Sequence, residues 1–248
     1  MKNVLITGIT GQDGSYLAEQ YLNDGWNVHG MVRRSSTLSR PRIDHLFSPN
    51  LEHGEQKFKL HYGDLSDVSA IIRIIQEVEP IQFINLAAQS HVAVSFEVPI
   101  ETASITGLGA AAVFEAVRIV NPAIKIYQAS SSEMYGGGQG SNLLNEKSTF
   151  DPKSPYAAAK VYAFNMAKIY RDSYGMHISN GILFNHESPR RGKTLFPEKS
   201  PKQLLPLGLV IKVSYILEIY PPLAIGDMLE TIWLQFGICW RLNVRMTM

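Results

Sequence analysis

The chain has 248 residues, 45% of them apolar and 18% charged, and its 23 basic and 22 acidic residues leave a formal net charge of +1. This composition is typical of a globular protein, and the balanced charge argues against binding of nucleic acid or a membrane surface through bulk charge. The single cysteine, Cys239, excludes a disulfide framework and a cysteine-ligated metal cluster. The apolar run before Gly8 is too short for a signal peptide, and no stretch of uncharged apolar residues predicts a membrane span. We therefore expect a cytoplasmic protein with no metal, no nucleic-acid partner and no membrane partner.

Short apolar runs and helical patterns alternate between residues 4 and 184. The apolar runs predict strands near residues 4–6, 26–32, 58–62, 81–86, 124–129 and 177–184. Apolar residues at helical spacing predict helices near residues 14–24, 70–78, 102–120 and 156–174. Strands that alternate with helices form a parallel sheet covered on both faces. The sequence therefore predicts an α/β fold with a doubly wound parallel sheet.

A glycine-rich turn follows the first predicted strand and opens the first predicted helix. Gly8, Gly11 and Gly14 have the spacing G-x-x-G-x-x-G, which in this context is typical of a Rossmann-type dinucleotide-binding corner. These glycines allow a tight turn, the approach of a pyrophosphate and close packing of helix on strand, and the helix N-terminus attracts the anion. The candidate cofactor residues here are Gly8, Thr10, Gly11, Gln12, Asp13 and Gly14. The alternative is a corner that needs glycine for its conformation alone.

The residues after the second predicted strand indicate which dinucleotide would bind. An NAD site usually has an acid at this point, which binds the ribose hydroxyls. This chain instead has Arg33 and Arg34, followed by two serines, and guanidinium groups suit the 2′-phosphate of NADP. We therefore predict NADP as the cofactor, with Arg33 among its ligands. A solvated basic loop is the alternative.

Two further patterns predict catalytic side chains. Tyr156 and Lys160 are four residues apart, so they share one face of a predicted helix. A nearby ammonium and an oxidised nicotinamide lower the pKa of a phenol, whose free value of about 10 is too high for a general base at neutral pH. Ser131 and Glu133 follow the fifth strand, at the sheet edge where α/β proteins bind ligands. The alternatives are a surface Tyr/Lys pair and a serine-rich capping turn.

These motifs together resemble the extended short-chain dehydrogenase/reductase family. The resemblance rests on the glycine corner and on Gly63–Asp67, Ser90–Phe96, Ser131–Glu133 and the Tyr156/Lys160 pair. Within this family, the runs Gly11–Leu17 and Gly181–Gly192 are similar to those of the GDP-mannose 4,6-dehydratases. The resemblance covers residues 1 to about 194.

The resemblance implies roles for the site residues. Tyr156 would take the proton of the hexose C4 hydroxyl, and Ser131 would hydrogen-bond that oxygen. Glu133 would remove the C5 proton and assist loss of water from C6, while Lys160 would hold the nicotinamide ribose. Further cofactor contacts are implied for Asp64, Leu65, Leu86, Ala87, Ala88, Gln89, Ser90, His186 and Arg191, and substrate contacts for Ser90, Glu133 and Asn185. The family often has threonine at position 131, and Ser131 keeps the hydroxyl. It often has tyrosine, beside the cofactor, where this chain has Glu101, so one cofactor contact is expected to differ in this chain.

The implied substrate is GDP-mannose, and the implied assembly is a homo-oligomer formed through the region after the second strand. Two other interpretations stay open. Another member of the family, such as a UDP-hexose 4-epimerase, would not need Glu133 as an eliminating base. A non-catalytic remnant would bind the cofactor without turnover.

Residues 195–248 depart from the family pattern, which continues with a segment ending in a sequence like Arg-Asp-Trp-Gly-Tyr-Ala. Read from the third base of each codon, Ile225–Thr231 permits Trp-Gly-Tyr-Ala-Gly-Asp-Tyr, and Tyr215–Tyr220 and Phe236–Met248 also permit family-like sequences. We therefore predict a single frameshift near residues 194–197. The expected domains are a nucleotide-binding domain over residues 1–194 and an aberrant, poorly ordered tail over 195–248, where the smaller substrate-binding lobe is truncated or replaced. A genuinely divergent tail is the alternative.

Overall fold

The fold is built on one predominantly parallel sheet. The computed structural model describes residues 2–35, 40–47, 57–136, 144–186 and 188–191, and the backbone alone of 215–218. The strands in these residues are β1 Asn3–Thr7, β2 Asn27–Val32, β3 Phe58–Tyr62, β4 Gln82–Asn85, β5 Lys125–Ser131, β6 Ile178–Leu183 and β7 Tyr215–Glu218. Their order across the sheet is β3-β2-β1-β4-β5-β6-β7. The first six strands pair in parallel, and β7 pairs antiparallel with β6.

Helices connect the strands and cover both faces of the sheet. They are α1 Gln12–Asn23, α2 Val68–Val78, α3 Val92–Glu97, α4 Pro99–Thr102, α5 Gly109–Val120 and α6 Pro155–Tyr174. A π-helical turn at Ala103–Leu108 joins α4 to α5, and 3₁₀ turns occupy Asp44–Leu46 and Ser132–Tyr135. Side chains of α2, α5 and α6 share one hydrophobic cluster, and those of α1 belong to a second cluster. The predicted doubly wound α/β architecture is therefore confirmed.

The first strand shows why the sheet needs helices on both sides. Successive side chains of a strand point to opposite faces, so Leu5 lies in the cluster with α2 and α5, whereas Val4 and Ile6 lie in the cluster with α1. All three are fully buried, and each such burial contributes about 1.5–3 kcal/mol. The strand order reverses between β1 and β4, and ligands of α/β proteins bind in the crevice at such a point.

The observed elements differ from the predicted ones in a few places. The helix predicted over residues 102–120 begins earlier, with α4, and contains the π-helical turn. The short helix α3 was not predicted, because six residues are too few to show a helical period. Of the predicted tail, the structure describes only β7. The remainder of residues 195–248, and with it the expectation of poor order, lies outside the described residues.

One helical stretch among the described residues, Pro99–Val120, is long and apolar enough to cross a membrane by length and composition. It comprises α4, the π-helical turn and α5. Val113, Phe114 and Val117 from this stretch are fully buried in the cluster that contains α2 and α6. Packing in the core of the fold therefore accounts for its apolar composition.

Candidate active site

The site residues predicted from the sequence lie at one edge of the sheet. They follow the carboxyl ends of β1 to β6, except for Tyr156 and Lys160, which come from the first two turns of α6. Because these strands are parallel, their carboxyl ends meet at the same edge. The structure therefore gathers residues that are far apart in the sequence.

The glycine corner between β1 and α1 has no room for side chains at two positions. Gly8 has a φ of +68°, and a Cβ atom there would lie 2.9 Å from the backbone nitrogen of Ala87. A Cβ atom on Gly14 would lie 2.4 Å from the carbonyl oxygen of Gly8. Gly11 precedes α1 and provides no side-chain cap, so backbone N–H groups of the first turn remain available to an anion. The corner therefore suits the pyrophosphate of a dinucleotide.

A buried hydrogen-bond chain joins the corner to β4 and β5. The Thr7 hydroxyl accepts bonds of 3.2 Å from the backbone nitrogens of Leu86 and Ala87, and it donates to Asn85 Oδ1 at 2.6 Å. The Asn85 amide in turn donates to Gln128 Oε1 at 2.7 Å. These contacts fix the backbone after β4, where the candidate cofactor residues Leu86, Ala87, Ala88, Gln89 and Ser90 lie.

The candidate residues for the adenosine end follow β2 and β3. Burial raises the pKa of Asp64, but hydrogen bonds from the Ser66 backbone and hydroxyl and the charge of Arg33 outweigh burial and lower it below its ordinary value. Leu65 is buried, and its side chain packs closely against Gly109 of α5. The structure thus places Arg33, Asp64 and Leu65 together beside the crevice, with an exposed guanidinium at its rim.

Tyr156 is the centre of the catalytic candidates. Burial raises its pKa to about 12, a hydrogen bond with Ser131 acts in the opposite direction, and the charges of Glu133 and Asp13 raise it further. The Ser131 hydroxyl also accepts a bond of 3.2 Å from the backbone nitrogen of Glu133, which shapes the turn after β5. A phenol, a hydroxyl and a carboxylate therefore meet beside the glycine corner, because Asp13 belongs to that corner.

Lys160 lies one turn further along α6 and is almost completely buried. Its ammonium donates a 2.7 Å hydrogen bond to the carbonyl oxygen of Ala129 and lies 5.7 Å from the centre of the Tyr156 ring. Burial lowers the pKa of Lys160 to about 8. The side chain thus still carries a positive charge at neutral pH, and this charge favours the ionised form of the neighbouring phenol.

The segment after β6 returns to the glycine corner. The two ring nitrogens of His186 donate to a carboxylate oxygen of Asp13 at 2.7 Å and to the Phe184 carbonyl oxygen at 2.9 Å. Burial lowers the pKa of His186, but the bond and charge of Asp13 outweigh burial, and the pKa lies above its ordinary value. Both partners are oxygen acceptors, and this arrangement stabilises the imidazolium form of the ring. The Arg191 guanidinium donates to the carbonyl oxygen of His186 at 2.9 Å.

Two predicted substrate ligands are exposed at the same edge of the sheet. Ser90 and Asn185 are exposed after β4 and β6. Neither makes a hydrogen bond or ion pair with the Tyr156 cluster in the described part of the chain. Within the same residues, no group of three or more His, Cys, Asp or Glu side chains is placed to hold a metal ion.

Sequence analysis missed three charged residues beside the corner. Glu19 lies on α1, Arg42 on the segment after β2, and Arg190 in the segment after β6. The Arg190 guanidinium contacts the Glu19 carboxylate, and the Arg42 guanidinium donates to the backbone carbonyl oxygens of Arg190 and Thr10. The signal that could have drawn attention to Arg190 is its place in the Arg190-Arg191 pair, of which only Arg191 was taken as a candidate.

Comparison with known proteins places the chain in a family. A family model described as GDP-mannose 4,6 dehydratase matches residues 5–209, which is further along the chain than the end near residue 194 inferred from the motifs. A GDP-mannose 4,6-dehydratase of Yersinia enterocolitica is 51% identical over 211 residues, covering 84% of this chain and 56% of the relative. The Homo sapiens GDP-mannose 4,6 dehydratase is 47% identical over 208 residues, covering 83% of this chain and 55% of the relative. The chain therefore spans little more than half the length of these curated relatives.

Solved structures give the same fold at lower sequence identity. DesIV, a dTDP-glucose 4,6-dehydratase from Streptomyces venezuelae solved with NAD bound, matches with a TM-score of 0.64 and 21% identity over 83% of this chain and 60% of that one. A UDP-glucose 4-epimerase from Thermus thermophilus, also with NAD, matches with a TM-score of 0.59 and 27% identity over 71% of this chain and 53% of that one.

Proposed function

The chain belongs to the GDP-mannose 4,6-dehydratase family, and from this premise we propose that it binds NADP and dehydrates GDP-mannose to GDP-4-dehydro-6-deoxy-mannose. The observation that carries the proposal is the clustering of Tyr156 with Ser131, Glu133 and Asp13 beside the glycine corner. This arrangement offers a base, a hydroxyl and a carboxylate next to a helix N-terminus that suits a dinucleotide. We place the reaction in the biosynthesis of GDP-fucose.

Tyr156 is the proposed base for the C4 hydroxyl of the hexose. The bound cofactor supplies a hydride acceptor for C4 and later a hydride donor for C6. The Tyr156 phenolate takes the hydroxyl proton, while the Ser131 hydroxyl, which hydrogen-bonds to the phenol, holds the same oxygen. The Lys160 ammonium favours the phenolate electrostatically, which opposes the effect of burial on the pKa of the phenol.

Glu133 is the proposed acid and base for elimination of water. Once C4 is a ketone, the C5 proton is acidic, and the Glu133 carboxylate removes it. The electron pair of the C5–H bond forms the C5–C6 double bond as the C6–O bond breaks. The same carboxyl group returns its proton to the departing hydroxyl, which leaves as water. Hydride addition at C6 would then leave an enolate over C4 and C5, and C5 would take up a solvent proton delivered through the Glu133 carboxyl group. The position of Glu133 near the phenol is the structural support for this role.

The proposed preference for NADP over NAD depends on the end of β2. Arg33 is exposed there and carries a charge that reaches Asp64. A guanidinium binds a 2′-phosphate through charge-assisted hydrogen bonds, whereas an acid at this point would favour the 2′-hydroxyl of NAD. Arg33→Asp is expected to weaken NADP binding more than NAD binding in fluorescence titrations.

The function is tested by incubating the full chain with NADP and GDP-mannose in deuterated water. The proposal requires that wild type forms a 4-keto product with deuterium at C5, detected by mass spectrometry. It also requires that Glu133→Gln does not form this labelled product. An epimerase would instead give an isomeric GDP-hexose without deuterium at C5. NADP binding with no turnover of wild type would identify a cofactor-binding remnant.

We also propose that the chain forms a homo-oligomer. Most of the region after β2, through which assembly was expected, lies outside the described residues. The described surface offers exposed apolar side chains on α3, α4, the π-helical turn and α6, namely Phe96, Ile100, Leu108 and Tyr162. Such side chains favour association. Light scattering tests the proposal, with Ile100→Glu expected to shift the protein toward monomer, and a monomeric wild type contradicting it.

The change of reading frame stays a proposal about the gene. It is supported by the family-like sequences that the tail permits in one shifted frame. The family match reaches residue 209, so the nucleotide sequence across codons 190–210 is the region to determine. An uninterrupted frame encoding this tail in repeated reads would contradict the proposal.

A further inference from the structure

Residues 184–186 and 188–191, which follow β6, lie against the first two turns of α1, beside the glycine corner. This segment carries His186 and Arg191, two candidate cofactor residues, on a stretch without regular secondary structure. Near its start, His186 pairs with Asp13, and the Gln12 amide donates to the His186 carbonyl oxygen at 3.4 Å. A segment of this kind needs anchors if its side chains are to keep a defined position.

Arg190 provides an anchor on α1. Its guanidinium donates to the Ser15 hydroxyl at 3.1 Å and forms an ion pair with the Glu19 carboxylate. The centre of the guanidinium also lies 4.1 Å from the centre of the Tyr16 ring. Arg190 and Glu19 are both three-quarters buried, so their attraction is screened less by water than that of an exposed pair. Two directed hydrogen bonds and a stacked ring together define one geometry for this side chain.

Arg42 ties a third segment to the same place. Its Nε donates to the Arg190 carbonyl oxygen at 2.7 Å, and its Nη1 donates to the Thr10 carbonyl oxygen at 3.2 Å. His45, from the same segment, contacts the Glu19 carboxylate. The segment after β2, the glycine corner and the segment after β6 are therefore joined by one set of charge-assisted contacts.

We infer that Arg190, Glu19 and Arg42 form a clasp that holds the segment after β6 against the glycine corner and thereby sets the affinity for the dinucleotide. The three side chains act as positioning residues through His186 and Arg191. The inference rests on the proposed binding of NADP at this corner. If the segment detaches in nine of ten molecules, apparent affinity falls about tenfold, because only the attached form is competent to bind.

A variant of Glu19 distinguishes the clasp from a simple effect of charge on NADP affinity. The cofactor is an anion, so removal of a carboxylate near its site strengthens binding if only long-range electrostatics acts. Removal of the same carboxylate weakens binding if Glu19 holds Arg190 in place. The two explanations therefore predict opposite signs for Glu19→Gln.

The experiment measures NADP affinity of the full chain by fluorescence titration for Glu19→Gln, Arg190→Gln, Arg190→Lys and the double variant Glu19→Gln/Arg190→Gln. Each single variant is expected to bind about tenfold more weakly. The double variant is expected to be no more than about twofold weaker than either single variant, because both changes break the same Arg190–Glu19 ion pair. Arg190→Lys keeps the charge but loses the two directed bonds, so it is expected to behave like Arg190→Gln. Asp24→Asn, at the other end of α1, is the matched control with unchanged affinity.

A second measurement does not depend on the cofactor. In the cofactor-free chain, the Arg190 and Arg191 amides donate to the Ser188 hydroxyl and carbonyl oxygens, and their hydrogen exchange is expected to accelerate about tenfold in Glu19→Gln but not in Asp24→Asn. Unchanged exchange, or tighter NADP binding by Glu19→Gln, overturns the clasp. Absence of NADP binding by wild type, with accelerated exchange in Glu19→Gln, overturns the proposed function and leaves the anchoring of the segment established.

Discussion

The glycine corner and the Tyr156 cluster are neighbours at the edge of the sheet, but the corner is formed by backbone atoms and the cluster by side chains. The corner uses consecutive residues, and its shape depends on backbone atoms that a single added methyl group would displace. The cluster uses side chains from β5, the turn after it and α6, which meet only when the sheet and helix have packed. The turn of the glycine corner is therefore specified locally, whereas the Tyr156 cluster and the segments packed against the corner depend on tertiary structure.

The two regions also differ in how they use charge. The corner presents backbone N–H groups and a helix N-terminus, whose partial charges do not titrate. The cluster depends on a buried phenol and a buried ammonium, whose pKa values burial moves in opposite directions. Variants of the corner should therefore change affinity, and variants of the cluster should change rate and pH dependence.

The largest expected effect is on turnover, from Tyr156→Phe. Loss of the phenolic oxygen removes the proposed base, and general bases contribute about 10²–10⁴-fold to rate, so formation of the 4-keto product is expected to fall about 10³-fold. NADP affinity is expected to stay within about twofold, because the corner is untouched. Product formation and fluorescence titration check the two parts. Equal loss of both would erase the distinction between binding and chemistry.

The next largest effect is on affinity, from Gly14→Ala. The new Cβ atom would lie 2.4 Å from the Gly8 carbonyl oxygen and 2.6 Å from the Cα of Ile9, so the corner must open. We expect a loss of about 1–3 kcal/mol in stability and about 100-fold in NADP affinity, equivalent to about 2.7 kcal/mol.

Gly25→Ala is the matched control for the corner. Gly25 has a φ of +81° but nothing within 4 Å of an added Cβ atom. The left-handed conformation costs an alanine about 1–2 kcal/mol, so the control is destabilised without any change in NADP affinity. Urea denaturation and titration distinguish the pair, and normal NADP binding by Gly14→Ala would contradict the role assigned to the corner.

The sequence could predict most of the fold and the local part of the site. Short apolar runs and helical spacing placed six strands and four helices within a few residues, because each element buries one or both of its faces. The glycine corner was predictable because its spacing and its place between strand and helix are local. The π-helical turn at Ala103–Leu108 was not, since it depends on packing against α6 rather than on a sequence period.

The side-chain contacts within the site could not be predicted from the sequence. Arg190 and Glu19 are separated by 171 positions, and Arg42 and Arg190 by 148. No local pattern indicates that charges so far apart will meet. The family resemblance assigned catalytic roles to Tyr156, Ser131 and Glu133. Only the fold shows that Asp13 lies close enough to raise the pKa of the Tyr156 phenol.

A smaller effect concerns stability and pH, through Lys160. Burial lowers its pKa from 10.5 to about 8, so between pH 8 and 10.5 the unfolded chain holds a proton that the folded chain has lost. Folding stability of wild type therefore rises with pH across this window relative to Lys160→Met, by about 3 kcal/mol at most. Urea denaturation at several pH values measures the difference. Lys168→Met, on the exposed part of the same helix, is the control, and a flat difference curve for Lys160→Met would contradict the burial effect.

The smallest effect concerns the ion pair between Asp13 of the glycine corner and His186 of the segment after β6. Burial lowers the pKa of His186 and the carboxylate raises it, with a net rise above 6.5. Asp13→Asn removes the charge of the carboxylate and leaves burial, the Phe184 bond and the charge of Arg191, so the pKa of His186 is expected to fall. The stabilisation by this pair, about 1 kcal/mol or less because Asp13 is partly exposed, is present below pH 6.5 and is lost as pH rises through the pKa of His186 in the folded chain.

NMR titration measures the change in the pKa of His186, and His186→Gln assigns its resonance. His29 on β2, whose pKa is lowered to about 4 by burial, His61 and Lys59, is expected to titrate identically in wild type and Asp13→Asn. A His186 pKa unmoved by Asp13→Asn would contradict the role of the Asp13 carboxylate in raising it.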